Sequence, residues 1–293
     1  MQPELRLVRY FVAVAEERNI TRAAERLHIS QPALSAAVRQ LELALGVDLL
    51  DRSGRVLAVT AAGELLLEQG RDLLGHADRV FDAVRERDGA LVGRLRLGLT
   101  PTARYGLAPE LLAASAARAA GVMIYPQEDT TGALLRELRA GRLDLAVLFC
   151  APVSELDGVE SELLRLEPAV VHTRADDVLA GRSSLRLDEL ADRVVLVADS
   201  RESGGFTDRV TELFRAAGVS PRTRPDPYPD LGLQAVREGL GVVVYVRSAF
   251  PPDVEGSAFV PVAGDAAFPF SLAWRARPRS AALDAVLAAA RSL

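Results

Sequence analysis

Thr21–Glu42, TRAAERLHISQPALSAAVRQLE, reads as two short helices joined by a tight turn. Thr21 is a plausible cap for the first of them, which runs to about Leu27. A short turn follows at His28 and Ile29. Ser30 then caps a second helix with Pro32 in its first turn, where a missing N–H costs nothing. Ile29 before the cap and Leu34 one turn in form a hydrophobic staple. Leu34, Val38, Leu41 and Leu45 make a stripe at helical spacing, and Gly46 is placed to end the helix. The start of this second helix bears small polar side chains, the kind that a major-groove reader needs.

Working outward, Leu5, Val8, Phe11, Val12 and Ala15 predict a preceding helix over about 4–17. After it comes VDLLDRSGRVLAVT, whose apolar residues alternate around Ser53-Gly54, as in a small β-hairpin or wing. Thr60 caps a long helix to about Arg87. In it Leu66, Gly70, Leu73, Ala77, Val80 and Val84 follow alternating steps of four and three, a coiled-coil seam that a lone helix cannot bury. The natural partner is a second copy of the chain. Asp88–Gly93 reads as a hinge. Beyond it strands and helices alternate: RLRLGLT, LAPELLAASAARA, VMIYPQ, TGALLRELRAG, LDLAVLF, then PAVVHT, RVVLVA, TDRVTELFRAAG, LGLQAVREG, GVVVYVR, FSLAWRA and a closing helix from about Ser280. The alternation predicts parallel sheet with right-handed crossovers, arranged as two lobes with a ligand cleft between them.

Composition sets bounds. The 293 residues suit two or three domains, and a 49% hydrophobic, 26% charged make-up is that of an ordinary globular chain. No apolar run is long enough to span a bilayer, and MQPELRLVRYF is no signal peptide, so a cytoplasmic location is expected. Every basic residue is arginine, so no Walker lysine, Schiff-base lysine or lysine general base exists. His28, His76 and His172 fall in three different modules. With the single Cys150 they make no metal-ligand set and no disulfide framework, and no G-x-S-x-G elbow occurs. An enzyme is therefore not expected, and no cofactor is implied. The net charge of −5 is unusual for a nucleic-acid binder but decides little when only a small domain touches the polymer.

The chain resembles the LysR-type transcriptional regulators. The likeness rests on RYF at Arg9–Phe11, TRAAERLH at Thr21–His28, SQPALS at Ser30–Ser35, the QLE and LG at Gln40–Glu42 and Leu45–Gly46, and Thr60-x-Ala62-Gly63. It continues in TGALLRELRAGRLDLAVLF from Thr131 and LGLQAVREGLGVVVYVRSAF from Leu231, so it covers essentially the whole chain. It implies an α/β protein with an N-terminal all-α winged helix-turn-helix (1–59) and a dimerising linker helix (60–88). A two-lobed effector domain similar to periplasmic binding proteins follows (93–293, with lobe I about 93–162 and 268–293, lobe II about 163–267). Dimers of dimers that bind an interrupted inverted repeat at a promoter are implied as well, with RNA polymerase a candidate further partner.

Candidate DNA contacts follow. Gln31 suits adenine N6 and N7, Pro32 and Ala33 suit thymine methyls, and Ser35 meets a base or a phosphate. Arg39 grips the backbone or is a solvated surface charge, as Arg26 is. Thr21 and Arg22 start a helix whose N–H groups suit a phosphate, and Ser30 adds a hydroxyl to its cap role. Arg52 and Arg55 flank the wing, with Arg52 divided evenly between a structural pair and phosphate. Where many of that family carry arginine or another polar residue just after Ser35, this chain has Ala36 and Ala37, so readout leans on the wing and DNA shape.

Candidate effector contacts are Thr100, Thr102 and Arg104 at the end of the first regulatory strand, and Thr130 and Thr131 at a helix start, one of them its cap. By the resemblance, Thr100 and Thr131 fall where an effector carboxylate is commonly held. The same resemblance implies that Ser200 and Phe206 face this cleft from the other lobe and that the loop around Tyr228 and Leu231 closes it. A small organic anion is the expected effector. The alternatives are a regulator without ligand control and a solute-binding protein, the latter opposed by the N-terminal module.

Overall fold

A computed structural model describes residues 3–52, 57–86, 93–152, 156–198, 205–228, 230–275 and 279–293. Arg55, Ser200, the Ser53-Gly54 turn and nearly all of the expected hinge lie outside them. The chain divides into two compact units, Met1–Val84 and Arg85–Leu293.

In the first unit, α1 (Leu5–Glu17), α2 (Ile20–Arg26) and α3 (Gln31–Leu45) enclose Phe11, Val14, Ala23, Leu34, Val38 and Leu41. The expectation for Thr21 is corrected. The cap of α2 is Asn19, whose side-chain oxygen accepts from Thr21 N at 2.9 Å and Arg22 N at 3.1 Å. Thr21 sits inside the first turn. His28 turns the chain between α2 and α3 with φ 55, the left-handed region. Ser30 Oγ accepts from Ala33 N, and Gly46 closes α3 with φ 72. Leu45 does not join the buried stripe; it is 40% exposed.

The wing strands β1 (Leu50–Asp51) and β2 (Ala58–Val59) pair antiparallel. Thr60 Oγ1 donates to Asp48 O at 2.8 Å and accepts from Gly63 N at 3.0 Å, so it both caps α4 (Ala61–Glu86) and pins it to the wing. A Cβ on Gly63 would stand 2.2 Å from Leu49 O, which is why this turn of α4 needs glycine. The expected seam divides. Gly70 is buried against Val8 and Val12, and Leu66, Leu67 and Leu74 pack on the same core. Leu73, Val80, Phe81 and Val84 are about half or more exposed.

In the second unit the sheet is mixed, not parallel as the alternation suggested. β3 (Gly93–Leu99) pairs parallel with β4 (Val122–Glu128) and β5 (Leu145–Phe149). β7 (Val194–Val197) pairs parallel with β8 (Arg222–Pro225) and β9 (Val242–Val246). The two parallel sets are joined by β6 (Glu160–Arg174) and β11 (Ala267–Trp274), which run antiparallel to each other; β6 pairs antiparallel with β9 and β11 with β5. β10 (Ser257–Pro261) pairs with the second half of β6. The order is β4-β3-β5-β11-β6-β9-β7-β8. β5 and β9 are apolar runs, buried at every position, as covered central strands are. α5 (Leu107–Arg118) and α9 (Ala281–Ala290) pack together on one face of the first lobe, and α6 (Thr131–Arg139) forms a separate apolar cluster with Leu143, Ala146 and Leu148. α7 (Phe206–Ala216) and α8 (Leu233–Arg237) cover the second lobe. Among the described residues no helix is long and apolar enough to cross a membrane.

Candidate nucleic-acid interface and effector cleft

The exposed face of the first unit is built by α3. Gln31, Pro32 and Ala33 are exposed at its start, and Arg39 and Gln40 two turns on. Ser35 is half-buried while Ala36 is exposed, so the second turn presents a methyl where the sequence pointed to a hydroxyl. Charge pairing sorts the arginines. Arg26 bonds Glu16 and Glu17, Arg71 bonds Glu16, and Arg9 bonds Asp78. Among the described side chains of this unit, Arg18, Arg22 and Arg39 are the arginines without an ion pair. Arg22 and Arg39 are exposed, at the start of α2 and on α3.

Arg52 is structural. Its guanidinium meets Glu42 Oε2 at 2.9 Å and Oε1 at 3.4 Å. Glu42 itself is buried, and its Oε1 also accepts from Leu49 N at 3.0 Å and Leu50 N at 3.1 Å. This carboxylate therefore fastens the first wing strand to α3. Sequence reasoning gave Glu42 no role; its position one turn past Val38 on the apolar stripe was the available signal.

In the second unit a cavity of about 470 Å³ opens between the carboxyl ends of the strands of the two lobes. Thr100, Thr102, Thr130, Thr131 and Phe206 line it, joined by Phe149, Tyr228, Leu231 and Tyr245. Arg104 does not. Its guanidinium is tied to Glu128 and is half exposed, which corrects its assignment to the cleft. The hydroxyls differ in what they offer. Thr130 Oγ1 accepts from Ala133 N, so Thr130 is the cap of α6. Thr131 Oγ1 donates to Phe149 O at 3.3 Å and Thr100 Oγ1 to Val147 O at 3.4 Å, leaving oxygen lone pairs unused. Thr102 Oγ1 bonds the Tyr245 hydroxyl at 2.7 Å, and burial raises the phenol's pKa well above its usual value, so it stays neutral. Phe149, Phe206 and Tyr245 touch one another with ring centroids 4.8 to 5.9 Å apart. The turn at Cys150 closes this floor: Gly205 N donates to Cys150 O at 3.1 Å, joining the end of β5 to the start of α7.

A helix-turn-helix with a wing and a two-lobed α/β unit around a cleft is the build of a ligand-responsive DNA-binding regulator. Comparison with known proteins agrees. Residues 5–64 match the bacterial regulatory helix-turn-helix protein model of the lysR family, and residues 88–293 match the LysR substrate binding domain. A RuBisCO operon transcriptional regulator of Allochromatium vinosum is 35% identical over 251 residues, 83% of this chain and 80% of that one. A Mycobacterium avium protein described as a probable hydrogen peroxide-inducible genes activator is 33% identical over 258 residues, 87% of this chain and 82% of its own. The crystal structure of full-length CbnR complexed with its target DNA is similar with a TM-score of 0.77 and 27% identity, covering 99% of both chains. The chain belongs to the LysR family of transcriptional regulators. It is a DNA-binding regulator with an effector-binding domain, and its family is one of regulators rather than enzymes.

Proposed function

We propose that this regulator reads an interrupted inverted repeat at a promoter, in the cytoplasm, as a homodimer or a dimer of dimers. Residues 1–59 bind the DNA, 60–88 form the linker helix and 93–293 hold the effector. Gln31, Pro32 and Ala33 lie nearest the base edges, Thr21, Arg22, Ser30 and Arg39 meet phosphate, and Ser35 has a lesser share than its neighbours. Arg52 acts by holding the wing, and Arg55 is a further DNA contact. The observation that carries this reading is the pairing pattern: among the described residues Arg22 and Arg39, exposed on the two helices of the motif, have no carboxylate partner, whereas Arg26, Arg52 and Arg71 each have one. The exposed apolar residues of α4, Leu73, Val80, Phe81 and Val84, supply the face for a second copy.

The cavity receives a small organic anion. Thr100, Thr131 and the first N–H groups of α6 meet its carboxylate, and Phe206 its body. Ser200 is a further effector contact. Ligand binding that differs between open and closed lobes shifts the geometry of the DNA-binding heads. A response through peroxide, as the name of the Mycobacterium avium relative suggests for that protein, is less favoured here. The single thiol, Cys150, is buried, and burial pushes its pKa up, which suppresses the reactive thiolate.

DNase protection of the DNA flanking the gene tests the proposal. An inverted repeat should be protected, and its footprint should change with a bound small acid. Protection without a repeat, or the same on unrelated DNA, would refute specific reading by α3.

A further inference from the structure

The described residues lining the cavity are threonines, prolines, aliphatics and aromatics, with one charged exception among them, Asp226. Among the described lining residues there is no arginine or histidine, and the chain has no lysine. Asp226 follows β8 directly, and its N–H donates to Val197 O at 2.8 Å, which sets it at the carboxyl end of the second lobe's strands. Its Oδ1 accepts from Tyr228 N at 3.1 Å. Burial nevertheless raises its pKa, the neighbouring Asp230 adds to the rise, and backbone N–H groups of Tyr228 and Gly232 oppose it. A half-buried carboxylate, with no cation beside it among the described residues, therefore lines the space where a ligand sits. A purely anionic ligand would meet that charge uncompensated.

We infer that the effector carries an ammonium group that pairs with Asp226, in addition to the carboxylate received at Thr100 and Thr131: an α-amino acid, or a close analogue, with an apolar side chain. This rests on the reading of the cavity as the effector site. The two lobes then take different halves of one head group. The first lobe offers hydroxyls and helix N–H groups to the carboxylate, and the second offers a carboxylate to the ammonium. Phe149, Tyr245 and Leu196 receive the apolar side chain. Bridging of the lobes by a zwitterion also gives closure a cause, since neither lobe alone satisfies both charges.

The test is calorimetric titration of the full-length protein with leucine, methionine and phenylalanine, each beside the acid that lacks its amino group, such as 4-methylpentanoate and 3-phenylpropanoate. At least one amino acid should bind about tenfold or more tighter than its counterpart. In Asp226→Asn, which keeps an oxygen acceptor for Tyr228 N, that preference should fall to within about threefold, with the fluorescence of Trp274 unchanged as a control on folding. Equal or tighter binding of the acids lacking the amino group overturns the inference but leaves the cavity's role as an anion site standing. So does a preference that survives in Asp226→Asn. Binding by neither series to a protein that still binds its DNA overturns the inference and the cavity reading together.

Discussion

Glu42 offers the sharpest test of how the DNA-binding unit is built. Its carboxylate is 6% exposed, receives the Leu49 and Leu50 N–H groups and faces Arg52. Glu42→Ala leaves two backbone donors inside the protein without an acceptor, at about 1–3 kcal/mol each, and some of that is recovered as water enters beside the partly exposed guanidinium. The net expectation is a loss of about 2–4 kcal/mol from the first unit. Glu42→Gln keeps an amide oxygen for the same donors and loses only the charge opposite Arg52, so about 1 kcal/mol is expected. The assay exploits the placement of the single tryptophan. Trp274 lies in the second unit, so its fluorescence follows that unit, whereas circular dichroism at the helical band also follows α1–α4. In urea at fixed protein concentration, Glu42→Ala should move the dichroism transition of the first unit down by roughly 2–4 M, taking a slope of ~1 kcal/mol/M for a unit of this size. The Trp274 transition should stay in place. Equal shifts in both signals, or a Gln variant as damaged as the Ala variant, would refute the idea that two satisfied N–H groups are what this carboxylate contributes.

Three further outcomes follow from the same geometry. Gln31→Ala should relax base preference at one position of each half-site. Arg39→Ala should weaken binding alike on all sequences and lower the slope of log affinity against log salt by about 1, both read by fluorescence anisotropy across salt concentrations. Gly63→Ala should cost about 1–3 kcal/mol, because its Cβ meets a backbone carbonyl that cannot step aside, and the dichroism transition should show it. His172 is fully buried, stacked on Phe259 and bonded to Ser257 Oγ, and burial aided by Arg237 and Arg247 pushes its pKa down to about 4. The folded protein then holds fewer protons than the unfolded chain between that value and the usual 6.5. This part of the stability is complete above pH about 6.5 and lost as pH falls toward 4, about 2 kcal/mol by pH 5. Trp274-monitored urea midpoints at pH 7 and pH 5 should differ more for the wild type than for His172→Gln.

What was legible in the sequence was local, and what was hidden was tertiary. Ser30, Thr60, Thr130 and Ser280 announce helix starts because a side-chain oxygen two or three residues before an apolar stripe has one obvious use. The start of α2 was misplaced because Asn19 and Thr21 both qualify, and only the structure shows which oxygen reaches the free N–H groups. β8, RTRP, and β10, SAFVP, are short strands on the margins of the sheet without alternation, so nothing in their composition marks them. The first half of β6 carries Glu160, Glu162 and Arg165, charges that hide a strand in the sequence. In the fold these charges are matched by Arg279, Arg291 and Glu110. Arg104 was assigned to the cleft because it follows the strand end there, but Glu128 at the end of the neighbouring strand takes it first. The mixed sheet follows from β6 and β11, whose pairing is a property of the whole chain and not of either segment.

The same accounting of partners explains how a chain with an excess of acid binds DNA and selects its ligand. Arginine is the only base available, and a guanidinium forks readily onto any carboxylate within reach. Most described arginines are so engaged, in both units. Function then resides where the pairing stops. In the first unit the described arginines left over are Arg18, Arg22 and Arg39, of which Arg22 and Arg39 lie on the two helices of the motif. In the second, Asp226 is an acid without a cation partner among the described residues, and it also lines the cavity. Each leftover charge specifies its complement, a polyanion outside and an ammonium within. A survey of the net charge alone, which is negative, would have found neither.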